Sequence, residues 1–214
     1  MFGLTPDLLL GRLLVVLLGI PIHEWAHGFM AHLLGDETPE LQGRLTLNPL
    51  VHLDPVGTIL ILLTGFGWGR AARVNPYRMW RVKNPRTGMA LSALAGPLSN
   101  IMQAMILAIP IRLGVLNFLP EAQADRLWQI LIIAILVNVG LAVFNMVPIP
   151  PLDGSRVLAG IAPPNIATFI ESLEPYSPII LGAVLFILPR MGLDLIGAIV
   201  YPIQDFLLKA LLWW

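Results

Sequence analysis

Cysteine is absent from the 214 residues, so the chain can form no disulfide and no thiolate metal site. Any metal it binds must be held by nitrogen or oxygen. Charge is scarce too. Asp, Glu, Lys and Arg make up 12% of the chain, against about 25% in an ordinary soluble domain. Half of the usual solvating surface is therefore missing, while hydrophobic residues reach 57% and mean hydropathy is +0.79. That composition is a membrane protein's. The thirteen basic residues are balanced by thirteen acidic ones, which leaves no basic face for nucleic acid. Nineteen Gly and nineteen Pro would mark loops in a soluble chain, but membrane helices tolerate both at kinks and close packing points. There is no internal repeat and no low-complexity segment.

What the chain does have is long apolar runs. A membrane span needs roughly 20 apolar residues in a helix. Leu8 to Leu34 is the first candidate, opened by the Thr5-Pro6-Asp7 cap and closed by Gly35. It lacks the basic start and the small-residue cleavage site of a signal peptide. Its length, about 40 Å, implies tilt. Gly88 to Ile111 and Leu127 to Val147 are free of charge and long enough to cross. Pro55 to Gly69 is uncharged but short, which predicts a re-entrant or obliquely inserted piece. Pro178 to Pro189 and Gly192 to Trp214 form a last apolar pair, with Trp213 and Trp214 read as an interfacial belt. The expected count is four to six spans in an all-α polytopic membrane protein.

Orientation follows from one loop. Arg70, Arg73, Arg78, Arg81, Lys83 and Arg86 cluster without an acid among them, so residues 70–86 are expected on the cytoplasmic side. Trp68, Tyr77 and Trp80 flank the cluster as interfacial anchors do, and contact with anionic lipid is compatible with it. Residues 117–121 then lie outside.

The first span contains His23-Glu24-Trp25-Ala26-His27. Two His four apart lie about 40° from one another around a helix, so both rings can reach one ion, with Glu24 on the neighbouring edge. Glu24 lies about 15 Å from the end of its helix, at a depth where a carboxylate is costly unless used. A catalytic zinc usually takes three protein ligands and leaves one position to water. For the third, Asp153 is the strongest candidate: three prolines break the helix after Asn145, and Gly154 allows a turn that points the Asp side chain back into the bundle. His52 and Asp54 are rivals, although Asn48 to Pro55 also reads as a capped helix start, and that reading leads. His32 is five residues past His27, too far round the helix to join an ion there, and reads as interfacial.

Three patches in order along the chain, His23 to His27, Ala95-Gly96-Pro97-Leu98-Ser99-Asn100, and Asn145-x-x-Pro148-x-Pro150-x-Leu152-Asp153-Gly154, make the sequence resemble the site-2 proteases, which are intramembrane zinc metallopeptidases. The HExxH motif alone is widely shared; its combination with the Asp-Gly run is specific. The likeness spans residues from about 20 to 160. It implies a three-helix catalytic core with additional apolar helices and a short re-entrant or strand-like segment. It also implies a Zn2+ ion held by His23, His27 and Asp153, with Glu24 as acid and base. Asn145 is implied to hold the substrate backbone or the developing oxyanion, and Asn100 is a second substrate-binding candidate.

The expectation is therefore a single transmembrane peptidase domain over residues 1–214, with a catalytic core at about 7–162 and membrane segments at about 177–214. No gap between the motifs is long enough for a PDZ or CBS domain. The family further implies a transmembrane protein as substrate, membrane lipid around it, a prokaryotic plasma membrane as location, and room for a regulatory membrane partner. The oligomeric state and the substrate's identity are not encoded. The irregular stretch between Gly35 and Asn84 is expected to line a water inlet, and Arg73-Val74-Asn75 to offer a strand-like edge. Two other classes stay open: another membrane metallohydrolase with HExxH, of the prenyl-protein endopeptidase type, and a non-proteolytic metal-binding or transport protein that uses Glu24 and Asp153.

Overall fold

The structure, a computed structural model, describes residues 4–212; Trp213 and Trp214 lie outside the described residues. The first helix, α1, runs over Pro6–Leu33. The Thr5 hydroxyl accepts the Leu8 N–H at 3.2 Å, and Pro6 takes the first turn, where no N–H is needed. Midway, Val15–Gly19 widens into a π turn. Pro21 follows it: it has no N–H to donate, and its ring crowds the carbonyl one turn back, which is a cause of such widening.

From the Leu33 end the chain passes through two one-turn helices, Thr38–Leu41 and Pro49–His52, into α2, Pro55–Thr64. Asp54 caps α2 by accepting the Gly57 N–H at 2.9 Å, and Gly65, with φ of 83°, stops it. Ten residues reach about 15 Å, half of a bilayer's hydrocarbon. Arg12, low on α1, donates to the Leu62 carbonyl at 2.8 Å and so caps the far end of α2. The chain then doubles back. Arg70 N–H donates to His52 O at 2.6 Å, Leu53 and Gly69 form an antiparallel bridge, and Asn75 N–H reaches the buried carboxylate of Asp36 at 2.6 Å. The segment thus enters and leaves at the same end of α1, as the re-entrant expectation requires. No strand forms among the described residues. In the strand-like Arg73–Asn75 stretch the side-chain amide of Gln42 occupies both the N–H and the C=O of Arg73, each at 3.0 Å.

Helix α3, Pro85–Arg112, stands at the centre and packs against α1, against α4 (Glu121–Asn145) and against the short α5 (Asp153–Ile161). Ile135, Val139 and Val143 of α4 bury themselves against Ala104 and Ala108 of α3. The alanines let the two backbones approach closely, which substitutes for a hydrophobic driving force in lipid. The remaining apolar helices are α6, Pro164–Met191, and α7, Leu195–Leu212. Here the boundaries differ from expectation: the helical run begins at Pro164 rather than near Pro178. Charge at Glu171 masked it in the sequence, but Glu171 receives Arg86 at 2.7 and 2.9 Å and is paired there. Among the described residues, five helices are long and apolar enough to cross a membrane. The chain is an all-α polytopic membrane protein.

Candidate metal centre

Two helices meet at a three-atom cluster. His23 and His27, one turn apart on α1, bring their Nε2 atoms to 3.0 Å from each other. Asp153, the first residue of α5, sets Oδ2 at 3.4 Å from His23 Nε2 and 3.3 Å from His27 Nε2. All three side chains are close to fully shielded from solvent. Asp153 owes its place to the run before it: Pro148, Pro150 and Pro151 stop α4, and α5 starts at once from Leu152. The triangle can be tested against zinc. Ligands at about 2.0–2.1 Å on a tetrahedron stand about 3.3 Å apart along each edge. Edges of 3.0, 3.3 and 3.4 Å match that spacing. The donor set, two neutral imidazoles and a carboxylate without thiolate, is that of a catalytic zinc site with a fourth position open.

The far side of each ring is held. His27 Nδ1 lies 2.7 Å from the carbonyl of Ser92, and the Ser92 hydroxyl donates back to His27 O at 2.9 Å. His23 Nδ1 lies 2.5 Å from Oδ1 of Asn100. Ser92, Gly96 and Asn100 are spaced by four along α3, as Gly19, His23 and His27 are along antiparallel α1, so the two helices present matching stripes. Gly96 lies between. A Cβ there would fall onto His27 Nε2 and within 2.7 Å of His23 Cε1, so only glycine lets the two rings, which meet edge to face, sit against α3. Such shared support orients metal-ligating rings and raises their basicity.

Glu24 is 7% exposed and faces the returning arm of the re-entrant segment. A Cβ on Gly69 would come within 2.8 Å of its Oε1, so glycine lets that backbone pass beside the carboxylate. Arg44 ties the two arms together by donating to Val51 O and, at 3.3 Å, to Arg70 O.

The other candidates fall elsewhere. His52 is fully buried with Nε2 at 2.7 Å from Thr46 O, Asp54 serves as the α2 cap, and His32 pairs with Glu40 at 3.3 Å away from the cluster. Asn145 closes α4 half-buried, its amide donating to Leu141 O at 3.0 Å. Asn100 is fully buried, its oxygen on His23 and its nitrogen on other protein groups. That arrangement suits holding the ring. Sequence reasoning missed Ser92, Gly69 and Asn138. Ser92 acts through its carbonyl, which every residue type carries. Asn138, by contrast, is an isolated amide in an uncharged apolar span, and that alone singles it out.

Comparison with known proteins bears on the same residues. The profile of peptidase family M50 matches residues 113–167, a stretch that contains Asn145 and Asp153. The chain is 40% identical over 179 residues, 82% of its length and 80% of the relative's, to the Bacillus subtilis protein named "Putative zinc metalloprotease YwhC". It is 30% identical over 148 residues, 66% of its length and 53% of the relative's, to the Mycolicibacterium smegmatis protein named "Putative zinc metalloprotease Rip2". The Rip2 of Mycobacterium tuberculosis is 28% identical over 182 residues, 82% of this chain and 66% of the relative. No solved structure matches.

Proposed function

Because the chain belongs to the site-2 protease family, peptidase family M50, we propose that His23, His27 and Asp153 hold its zinc and that Glu24 is the acid and base of peptide hydrolysis. An intramembrane zinc metalloprotease acts on membrane proteins from within lipid, and the comparisons favour this over a prenyl-protein endopeptidase or a carrier. The observation that supports the site assignment most is the triangle of Nε2, Nε2 and Oδ2, with edges of 3.0 to 3.4 Å, in the interior of a helix bundle.

Bound zinc supplies acidification of a water and polarisation of the scissile carbonyl. The chain's residues do the rest. Glu24 takes the proton from the attacking water and delivers it to the leaving amine. Its carboxylate lies beside the Gly69 backbone, one residue along α1 from His23. Asn145, with one amide hydrogen spent on Leu141 O, has a second donor for the oxyanion or the substrate backbone. The polar loops at the Leu33 end of α1 conduct water inward. The basic stretch at residues 70–86 lies on the cytoplasmic side by its excess of Arg and Lys. The substrate is a transmembrane segment whose helix unwinds near the cleaved bond, which Gly or Pro makes cheaper. The chain forms one peptidase domain, in a prokaryotic plasma membrane.

The test is a paired one. Glu24→Gln keeps the side-chain shape and removes the base. Wild type and Glu24→Gln expressed in the same cells should differ in a defined set of membrane-protein fragments, with cleavage reduced about 10²- to 10⁴-fold and bound zinc unchanged. Full cleavage by Glu24→Gln would end the assignment. Reporter fusions at Glu37 and Lys83 test the orientation: both should report the cytoplasmic side.

A further inference from the structure

A chain of amides leads from the metal centre into α4. Asn100 Nδ2 donates to Asn138 Oδ1 at 2.8 Å, and Asn138 Nδ2 donates to the carbonyl of Ala134 at 2.9 Å. Asn100 is fully buried and Asn138 is 2% exposed. The polarity of this chain has one solution. A backbone carbonyl can only accept, so Asn138 must turn its NH2 to Ala134 and its oxygen to Asn100. Asn100 must then turn its NH2 to Asn138 and its oxygen to His23. Against an oxygen, His23 Nδ1 must carry a hydrogen, which leaves the lone pair on Nε2, the atom that faces His27 and Asp153. The second acceptor near Asn100 Nδ2, Gly19 O, points the same way, but it stands at 3.5 Å and is shared with Gln103 at 3.3 Å.

We propose that Asn138 is a positioning residue of the metal centre: through Asn100 it holds His23 in the tautomer whose Nε2 binds metal. The two histidines are therefore set by different means. His27 reads its tautomer directly from the Ser92 carbonyl, whereas His23 reads it from the Ala134 carbonyl through two intervening amides on two helices. Partners beyond the first ligands typically contribute 10- to 100-fold in metal affinity. The inference rests on His23 being a zinc ligand, as proposed above.

The experiment measures zinc affinity by chelator competition on the purified, detergent-solubilised protein. Asn138→Leu, similar in shape and without an acceptor, should weaken zinc about 10-fold or more. Asn100→Asp makes the relay unnecessary, because a carboxylate accepts from Nδ1–H whatever lies behind it. Asn138→Leu placed on an Asn100→Asp background should therefore cost no further zinc affinity. A purely structural role for Asn138 would make the loss equal in both backgrounds, and that result overturns the proposal, as does wild-type zinc binding by Asn138→Leu. His23→Ala separates the two levels. If it keeps full affinity, the ligand assignment is wrong. If it loses zinc while Asn138→Leu does not, the relay alone is wrong. Should Asn138→Leu fail to fold, the zinc-free wild-type protein suffices. With ¹⁵N-labelled histidine, four rings in all, the His23 ring should carry its proton on Nδ1, and a proton on Nε2 overturns the proposal.

Discussion

The helices that carry the site and the helices that follow them solve the membrane in opposite ways. In α1, α3 and α4, 50%, 33% and 56% of the most apolar stretch is buried inside the protein, against 11% in α6 and 22% in α7. The buried polar side chains follow that division. His23, Glu24, Ser92, Ser99, Asn100, Asn138 and Asp153 all lie in α1, α3, α4 and α5, whereas α6 and α7 bury Ser177 alone, bonded within its own turn. A polar group in hydrocarbon is costly unless a partner is supplied, and only helices that bury one another can supply one. The first assembly therefore holds the candidate site, and the last pair is left with exposed apolar surface.

The largest break in this comparison comes from removing a ligand. Asp153→Asn replaces a charged oxygen by a neutral amide at the third corner of the triangle, 3.3 and 3.4 Å from the two Nε2 atoms. Zinc affinity should fall beyond the roughly 100-fold that outer partners contribute, with cleavage lost alongside. Asp54→Asn is the control: it changes the cap of α2, and an Asn caps nearly as well. Metal analysis of both purified variants should find depletion in the first and wild-type zinc in the second. Equal zinc in the two would show that the ligands lie elsewhere.

A smaller effect is expected where α1 and α3 touch. Gly96→Ala places a methyl group on the imidazole pair. Such overpacking costs about 1–3 kcal/mol and forces the rings aside. Zinc affinity should drop about 10-fold while the fold persists. Gly182→Ala, in α6 with open space around it, should leave zinc binding at the wild-type level, because that helix has no such contact to lose.

The same division explains what could be read from the sequence. The grouping of His23, His27 and Asp153 was legible because an ionisable residue in an apolar run has few uses, and because a four-residue step fixes two side chains on one face. That the segment at 55–69 turns back followed from its short length together with the alternating directions of the three core helices. Contacts that run through backbone were not: Ser92 serves His27 by its carbonyl, and Gly69 serves Glu24 by having no side chain at all. Asn100 was noticed as a substrate contact, but nothing in the chain before folding says that its oxygen will face His23. The start of α6 was hidden for a similar reason, because Glu171 looks like a loop residue until Arg86, 85 positions away, arrives beside it.

The smallest effect belongs to the lipid-facing pair. Phe206 on α7 is 69% exposed among the described residues. In water such a ring would be an aggregation hazard, but acyl chains contact it as well as protein would, so there is no hydrophobic gain to forfeit on truncation. Phe206→Ala should change unfolding stability by no more than about 0.5 kcal/mol and leave both zinc affinity and cleavage within error of wild type. Phe144 on α4 is the counterpart: 7% exposed, with its ring 4.4 Å from that of Phe66 in the re-entrant arm. Truncation there removes contacts that lipid cannot reach to replace. If Phe206→Ala proved as damaging as Phe144→Ala in the same thermal assay, α7 would have to be covered by something other than lipid. The outward face of the last two helices would then be an interface, and the contrast between the two halves would be one of partners instead of solvents.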